Sequence, residues 1–349
     1  MGEGYLMIRF NCDYSEGAHP KVLEKLIQTN LEQTEGYGLD PYCIQAAGLI
    51  KEKCQRQDVD VHFLVGGTQT NLTVVSAALR PHQGVIAANT GHINTHESGA
   101  IEAIGHKVLA LPSPDGKLTA TQIQDAYDQH FSDDNCEHIV QPKLVYISNP
   151  TELGTIYCKA ELTDISETCK KNDLILYIDG ARLGYALCAE DNDLDLPTIA
   201  QLCDAFYIGA TKIGALFGEA LVICNESLKK DFRYIIKQKG GMLAKGRLLG
   251  VQFVALFEED LYFHMASHAN KMAILIKEAL IKKGYSFLVL STTNQQFPIV
   301  PNEVLEKLKE KFEYSFCEKI DDKHSAVRFC TSWATNLDAV QQLIAEIEK

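Results

Sequence analysis

The chain has 349 residues, of which 46% are hydrophobic, so it is long enough to bury one or two substantial cores. Its formal net charge of -13 at pH 7 repels nucleic-acid phosphates and anionic lipid headgroups, which are bound by clustered Lys and Arg side chains. We therefore expect neither nucleic acid nor a membrane as a partner.

The cysteines and the apolar runs indicate the compartment. The eleven cysteines are scattered from Cys12 to Cys330 without a CxxC pair, which favours reduced thiols over a disulfide framework or a zinc site. The sequence opens with no signal-peptide stretch and contains no run of about 18 apolar residues. We expect a cytoplasmic protein.

From about residue 60 to residue 224, short apolar runs alternate with helical patterns, which is typical of a parallel sheet covered by helices. The predicted strands are 59–65, 84–88, 107–111, 143–148, 174–179, 205–209 and 220–224. Helices with apolar residues at three- and four-residue spacing are predicted at 70–79, 161–171 and 196–202. The fold class is therefore α/β, with a large domain at 41–235 around a mostly parallel seven-stranded sheet.

The pattern changes after Cys224. A long helical pattern runs from Arg247 to about Lys283, with Gly250 as an interruption and Gly284 as a C-cap. The elements predicted around it are a helix near 20–31, an apolar segment at 287–290, a helix at 302–311, a strand at 326–330 and a helix at 337–347. They predict a smaller α+β domain made of residues 236–349 together with residues 1–40, which are too short to fold alone.

Lys212 is the only cation in the apolar segment 204–223, and Gly209, Gly214 and Gly218 flank it. A buried ammonium without a counter-ion relieves its desolvation cost by losing its proton, and a neutral amine is what forms a Schiff base. Taken alone, a lysine in a surface turn between two strands is the more common arrangement.

Asp179 ends an apolar strand and is followed by Gly180 and Arg182. Ligands of open α/β sheets bind at the carboxyl ends of strands. A carboxylate there can hold the pyridine nitrogen of a pyridoxal 5′-phosphate (PLP) cofactor protonated, and a protonated ring withdraws electrons from a substrate's α-carbon. A helix N-cap is the alternative role. The pair formed by this acid and Lys212, after the next strand, is more specific than either residue alone.

Gly66, Gly67, Thr68 and Gln69 stand between a strand and a helix. Free N–H groups at a helix start bind phosphate, with glycines allowing close approach and Thr68 donating a hydroxyl. Neither a P-loop nor a GxGxxG motif is present, and a plain capped turn is the alternative for an isolated Gly-Gly-Thr.

His92, His96 and Glu97 follow another strand. A histidine ring over the pyridine face would fix the cofactor's tilt, and it would also handle protons near neutral pH. Two histidines four residues apart also suggest a metal site, but the His-Glu-x-x-His order and a third ligand are missing, so no metal is expected.

Arg328 interrupts an apolar strand of the smaller predicted domain. Its guanidinium suits a planar substrate carboxylate through two parallel hydrogen bonds. A surface ion pair on an edge strand is an equally good interpretation of this residue alone.

In order and spacing, these motifs resemble the threonine aldolase and β-eliminating lyase group of fold-type I PLP enzymes over nearly the full chain. The matching segments are 10–13, 36–41, 66–71, 91–97, 178–182, 211–212, 240–242 and 327–328. The resemblance implies a PLP-dependent transferase-like fold in which Lys212 forms the Schiff base, Asp179 pairs with the pyridine nitrogen and His92 stacks on the ring.

The resemblance also implies the remaining ligands of the site. The cofactor residues are Gly67, Thr68, Gln69, His92, Asp179, Arg182, Thr211, Lys212 and Lys245, and the substrate residues are Cys12, Tyr37, Arg182 and Arg328. In the family the active site is completed across a dimer interface, so a homodimer or homotetramer is expected, with Tyr37 and Lys245 near that interface.

The chain departs from the family at two places. It carries Cys12 where a serine is common, and it reads Pro150-Thr151 where a Thr-His pair commonly follows the residue matching Asn149. That histidine is associated with the substrate's β-hydroxyl, so here the proton is assigned to His92, His96 or a water.

The expected reaction is retro-aldol cleavage of L-threonine or L-allo-threonine to glycine and acetaldehyde, an aldehyde-lyase activity. One alternative is β-elimination from a cysteine-, serine- or tryptophan-like amino acid, with Lys212 as base and pyruvate and ammonia as products. Another is a non-catalytic binding protein with the same fold.

Overall fold

The computed structural model describes residues 7–349; residues 1–6, which belong to the N-terminal stretch predicted to contain no signal peptide, lie outside it. The strands are β1 Ile8–Arg9, β2 Asp60–Leu64, β3 Gln83–Ala88, β4 Val108–Leu111, β5 Gln141–Ser148, β6 Ile175–Asp179, β7 Ala205–Gly209, β8 Glu219–Ile223, β9 Ser286–Phe287, β10 Gln295–Gln296, β11 Pro298–Pro301, β12 Phe312–Glu313, β13 Ser315–Lys319 and β14 His324–Cys330.

The helices include two of a single turn beside the site and a long one in the C-terminal part. They are α1 Pro20–Gln28, α2 Pro41–Lys53, α3 Gly67–Ala78, α4 His92–Thr95, α5 Ala100–Ala103, α6 Ala120–Phe131, α7 Lys159–Lys171, α8 Leu183–Leu187, α9 Leu196–Leu202, α10 Glu226–Lys229, α11 Phe232–Gln238, α12 Arg247–Phe257, α13 Leu261–Lys282, α14 Asn302–Leu308 and α15 Leu337–Ile347. None within residues 7–349 is both long and apolar enough to cross a membrane.

The seven predicted strands form one sheet in the order β2-β8-β7-β6-β5-β3-β4. Within it, β8 runs antiparallel to both of its neighbours, and the other pairs are parallel. The central strands are buried along their whole length because helices cover both faces, and this is why they read as continuous apolar runs. The predicted α/β class with a mostly parallel seven-stranded sheet is confirmed.

Strands β5, β6 and β7 end side by side at the carboxyl edge of this sheet. There a glycine allows the backbone after β6 to lie directly against β7. A Cβ on Gly180 would lie 1.7 Å from the carbonyl oxygen of Tyr207, and Gly209 N donates to Gly180 O over 2.9 Å. Only a glycine allows the loop after β6 to approach β7 so closely. The loop that carries Asp179 and Arg182 is therefore fixed against the next strand.

The predicted interruption at Gly250 is wrong. Gly250 lies inside α12, where a Cβ would stand 2.5 Å from the backbone nitrogen of Cys43, so the glycine allows α2 and α12 to pack closely. The helical pattern instead breaks between α12 and α13 at Asp260, whose φ of 54° is left-handed.

The C-terminal elements form a second, antiparallel sheet. Strand β14 pairs with β10, β11 and β13, and β11 also pairs with β9. The short β1 pairs in parallel with β12, which ties the start of the described chain to this region. Phe10, Ile276, Val327 and Leu343 belong to the apolar core between this sheet and its helices.

Candidate active site

A cavity opens at the carboxyl edge of the large sheet. Its wall is formed by the ends of β5, β6 and β7, the start of α3, the short α4 and the first residue of β8. Six of the residues predicted from the sequence line it: Gly67, Thr68, His92, Asp179, Arg182 and Lys212. These six residues are spread over a span of 146 sequence positions, and the fold of the sheet brings them around one cavity.

Asp179 forms the floor of the cavity and accepts four hydrogen bonds. Oδ1 accepts from Tyr207 Oη at 2.5 Å and Ala181 N at 3.0 Å, and Oδ2 accepts from Tyr146 Oη at 2.6 Å and Asn71 Nδ2 at 3.1 Å. Burial alone raises its pKa, but the hydrogen bonds from Tyr146 and Tyr207 outweigh it and hold the pKa below the ordinary 3.8. The group is a carboxylate at neutral pH.

Tyrosines from three adjacent strands lie beneath this carboxylate. Tyr146, Tyr177 and Tyr207 come from β5, β6 and β7. The ring centroids of Tyr146 and Tyr177 are 6.0 Å apart, and those of Tyr177 and Tyr207 are 6.4 Å apart. Tyr177 Oη donates to Asn71 Oδ1 at 2.8 Å, which orients the amide that donates to Asp179. Burial raises the pKa of all three phenols well above 10, so each stays a hydrogen-bond donor.

Lys212 lies in the turn after β7 and is half-buried against the cavity. Its Nζ has no hydrogen-bond partner among residues 7–349. Burial and the positive charge of Arg182 lower its pKa below the ordinary 10.5, and Asp13 and Glu219 oppose them. The amine is free to react with a carbonyl group.

Arg182 is held by a buried acid from the N-terminal segment. Its Nε and Nη2 donate to Asp13 Oδ2 and Oδ1 at 2.7 Å and 2.9 Å, and Asn294 Nδ2 adds a 3.0 Å bond to Oδ2. Burial raises the pKa of Asp13, but the charges of Arg182 and Lys212 outweigh it and lower that pKa to about 2. Nη1 of Arg182 makes no hydrogen bond within the described range, so it is available to a ligand in the cavity.

The start of α3 offers an anion site. Its N-cap, Gly66, provides no side-chain cap, and the first helical N–H groups, of Gly67, Thr68 and Gln69, have no acceptor within residues 7–349. A Cβ on Gly67 would stand 2.9 Å from Tyr207 Oη and fill this space. The side chain of Gln69 bonds instead to Lys239 O and Val65 N, so only its backbone faces the site.

His92 is oriented by a buried acid, whereas His96 is not part of the wall. His92 Nδ1 lies 2.7 Å from Glu97 Oε1, which also accepts from Asn71 Nδ2 at 2.7 Å. Burial lowers the pKa of His92, but Glu97 and Asp179 outweigh it and raise that pKa above 6.5. His96 is exposed, does not line the cavity, and has a pKa lowered by burial and by His92.

Besides Gln69 and His96, five predicted site residues do not line the cavity of the single chain. Cys12 Sγ lies 3.2 Å from Ser15 Oγ, and Arg328 donates to Asn11 O and Gln295 Oε1. Thr211 Oγ1 donates to Glu219 Oε1 and accepts from Gly218 N. Tyr37 and Lys245 border two other cavities, of about 300 Å³ and 320 Å³ respectively. No set of three or more His, Cys, Asp or Glu residues in 7–349 is arranged to hold a metal ion.

Two glutamates of the wall were missed by the sequence analysis. Glu152 Oε1 accepts from Ser148 Oγ at 2.7 Å and from His92 N at 2.9 Å. Glu219 Oε1 accepts from Thr211 Oγ1 at 3.2 Å, and its buried Oε2 has no partner among residues 7–349. Burial is the main cause that raises the pKa of both acids, to about 8 for Glu219. Glu152 follows the end of β5 closely, so the rule applied to Asp179 would have found it.

The sequence and the fold of this chain are similar to those of known proteins of one enzyme family. Residues 13–302 match the β-eliminating lyase family. A low specificity L-threonine aldolase of Pseudomonas aeruginosa is 30% identical over 97% of this chain and 96% of its own. The solved structure of a Leishmania major threonine aldolase is 48% identical, with a TM-score of 0.95 over 98% of each chain. A Thermus thermophilus aspartate aminotransferase shares the fold at 15% identity, with a TM-score of 0.72 over 99% of this chain and 91% of its own.

Proposed function

The chain belongs to the β-eliminating lyase family, and we propose that it cleaves L-threonine or L-allo-threonine to glycine and acetaldehyde with pyridoxal 5′-phosphate as cofactor. The resemblance seen in the sequence is confirmed, and the fold is that of the fold-type I PLP enzymes. β-Elimination is not favoured, because the relatives that match over nearly their whole length are named threonine aldolases.

The observation that carries this proposal is the set of groups around one cavity. The free amine of Lys212 suits the cofactor's aldehyde, the carboxylate of Asp179 suits a cationic ring nitrogen, and the uncapped start of α3 suits a phosphate. The residues present therefore fit PLP. When bound, PLP supplies an electron sink conjugated to the substrate's α-carbon.

The protein's part is to orient the substrate and to manage protons. We assign the substrate carboxylate to Nη1 of Arg182, because Asp13 already holds the other face of Arg182 in place. A share for Arg328 stays a prediction, because Arg328 does not line this cavity and donates to Asn11 O and Gln295 Oε1. Fixing the carboxylate sets the direction of the Cα–Cβ bond, and a fixed reacting bond is worth several orders of magnitude in rate. His92, held by Glu97, is assigned to the face of the cofactor ring.

We also propose a homodimer, or a tetramer built from such dimers, in which Tyr37 and Lys245 face a second copy. The exposed Tyr37, Leu39 and Ile44 support this proposal, since apolar side chains gathered on a surface mark interaction sites. The eleven unpaired cysteines support a reducing, cytosolic compartment. The division into a domain at 41–235 and a second one formed by 1–40 with 236–349 stays a prediction.

An absorbance spectrum of the purified protein, combined with product assays on L-allo-threonine, tests the function. We expect a visible cofactor band that is absent in Lys212→Ala and retained in Lys309→Ala, which changes an exposed lysine of the C-terminal region. Acetaldehyde and glycine support the aldolase; pyruvate and ammonia from a β-substituted amino acid support the lyase. A protein that takes up no PLP on reconstitution contradicts both.

A further inference from the structure

Glu152 presents a carboxylate oxygen to the cavity. Its Oε1 is fixed by Ser148 Oγ and by the backbone N–H of His92, whereas its Oε2 has no hydrogen-bond partner within residues 7–349 and is not sealed in the interior. The side chain lies in the same wall as Lys212 and Asp179. A carboxylate anchored through one oxygen and open through the other is arranged to exchange a proton with a bound molecule.

The other candidates for that proton are less well placed. His96 is exposed and does not line the cavity. His92 is assigned to the face of the cofactor ring, and its raised pKa favours the protonated form, which cannot accept a proton. The loop after β5, in which the family's histidine is missing, is the loop that carries Glu152. The cavity therefore has a carboxyl group in the loop where the family's histidine is missing.

We infer that Glu152 is the catalytic base that removes the proton from the substrate's β-hydroxyl; this inference rests on the proposed aldol cleavage. The O–H bond of the β-hydroxyl breaks and an O–H bond forms at Glu152 Oε2. The oxygen's electrons form the C=O bond of acetaldehyde, and the Cα–Cβ electron pair stays with the α-carbon. That carbon later takes up one proton to give glycine, so one proton has moved from the β-oxygen to the α-carbon overall.

The surroundings of Glu152 suit this role. His92, Asp179, Tyr146 and Tyr157 are the titratable groups beside it, and the cations Lys212 and Arg182 line the same cavity. Burial is the main cause that raises the pKa of Glu152 above the ordinary 4.5, with the charge of Asp179 acting in the same direction. A carboxylate with a raised pKa is a stronger base than one in water.

The substitution Glu152→Gln removes the basic carboxylate but keeps the local structure, because the amide oxygen still accepts hydrogen bonds from Ser148 Oγ and His92 N. We expect kcat for threonine cleavage to fall by about 10²–10⁴-fold, the usual contribution of a general base. Exchange of the α-proton of glycine in D₂O, followed by NMR, should proceed at the wild-type rate, because glycine has no β-hydroxyl. Glu167→Gln, on the exposed face of α7, is the matched control.

A measurement on the cofactor-free protein provides a readout apart from activity. Because the pKa of Glu152 is raised by folding, its carboxyl stabilises the fold fully below pH 4.5 and loses that contribution as pH rises through the folded value. The melting temperature of Glu152→Gln, relative to that of the wild type, should therefore increase from pH 4.5 to pH 7.

The outcomes are distinguishable. Unchanged cleavage in Glu152→Gln overturns the assignment, and an equal loss of cleavage and glycine exchange assigns Glu152 a structural role instead. If the wild type exchanges the glycine proton but cleaves no threonine, the proposed function itself fails. Loss of cleavage alone, with the melting-temperature trend, supports Glu152 as the base.

Discussion

Two aspartates and two glutamates are withdrawn from bulk water around one cavity, yet their pKa values move in opposite directions. Asp13 and Asp179 have lowered pKa values, and Glu152 and Glu219 have raised ones. Both oxygens of each aspartate accept hydrogen bonds, whereas each glutamate has one oxygen without a partner in the described part of the chain. Burial is therefore common to all four carboxyl groups. The positive charges beside Asp13 and the hydrogen-bond donors around Asp179 outweigh it, whereas nothing does so at the two glutamates.

The difference separates two tasks. Asp13 and Asp179 hold permanent negative charges, which fix Arg182 and suit a cationic ring nitrogen. Glu152 and Glu219 are easier to protonate, so they are suited to exchanging protons rather than to holding cations. Changing each carboxylate to its carboxamide tests this contrast, since the same chemical change is expected to have opposite effects on stability at the two kinds of position.

The largest effect is expected for Asp13→Asn. Removing this charge leaves Arg182 in the interior without its counter-ion, which costs about 3–5 kcal/mol of unfolding free energy. Urea unfolding of the cofactor-free protein at pH 7 measures it. In the wild type the contribution of Asp13 is present above pH 3.8 and is lost as pH falls through about 2. A loss no greater than that of a surface variant would contradict the paired-charge account.

Glu219→Gln should act in the opposite direction. The pKa of Glu219 rises to about 8 on folding from an ordinary 4.5, so the wild type loses this contribution as pH increases between these values. The loss amounts to about 1.4 kcal/mol per pH unit. Glutamine does not titrate, so the variant should gain on the wild type in urea midpoint from pH 5 to pH 9. Parallel curves would show that Lys212 keeps the acid ionised throughout.

Asp179→Asn should destabilise the cofactor-free protein. Asp179 accepts from Ala181 N through Oδ1 and from Asn71 Nδ2 through Oδ2. In asparagine one of these oxygens becomes an NH₂ group, which cannot accept a hydrogen bond. In either orientation of the amide, at least one buried donor therefore loses its acceptor. Such a loss costs about 1–3 kcal/mol. The same variant should retain less PLP after dialysis, measured by absorbance. Stability equal to the wild type would show that the amide network rearranges without cost.

The smallest effect is expected for Asp173→Asn. Asp173 is paired with Lys143, but 99% of its side chain is exposed, so solvent screens the pair. The urea midpoint at pH 7 should not change measurably. A clear loss would mean that the left-handed backbone at Asp173, with φ of 51°, depends on the carboxylate.

The sequence was most informative about features that depend on a single strand or a single turn. The seven strands follow from apolar runs because both faces of the sheet are buried, and Lys212 and Asp179 follow from their places at strand ends. Glu219 was missed because it begins a strand, and only the antiparallel direction of β8, opposite Gly209, brings that end to the site.

Long-range pairing accounts for the other differences. The ion pair of Asp13 with Arg182 joins residues 169 positions apart, which no local pattern reveals. Gly250 was misassigned because a glycine normally weakens a helix, whereas here close packing against Cys43 requires one. The true break depends on the backbone of Asp260, a residue type that is common in turns.

The row of Tyr146, Tyr177 and Tyr207 has an optical consequence. Phenols ionise with a change in ultraviolet absorbance, and exposed ones do so near pH 10. These three have pKa values well above 10, so an alkaline titration of the folded protein should leave them silent until the sheet itself unfolds. Tyr157, Tyr185 and Tyr262 are buried with raised pKa values as well, so the late-ionising phenols together provide an intrinsic signal for whether the core that contains this row is intact in any variant.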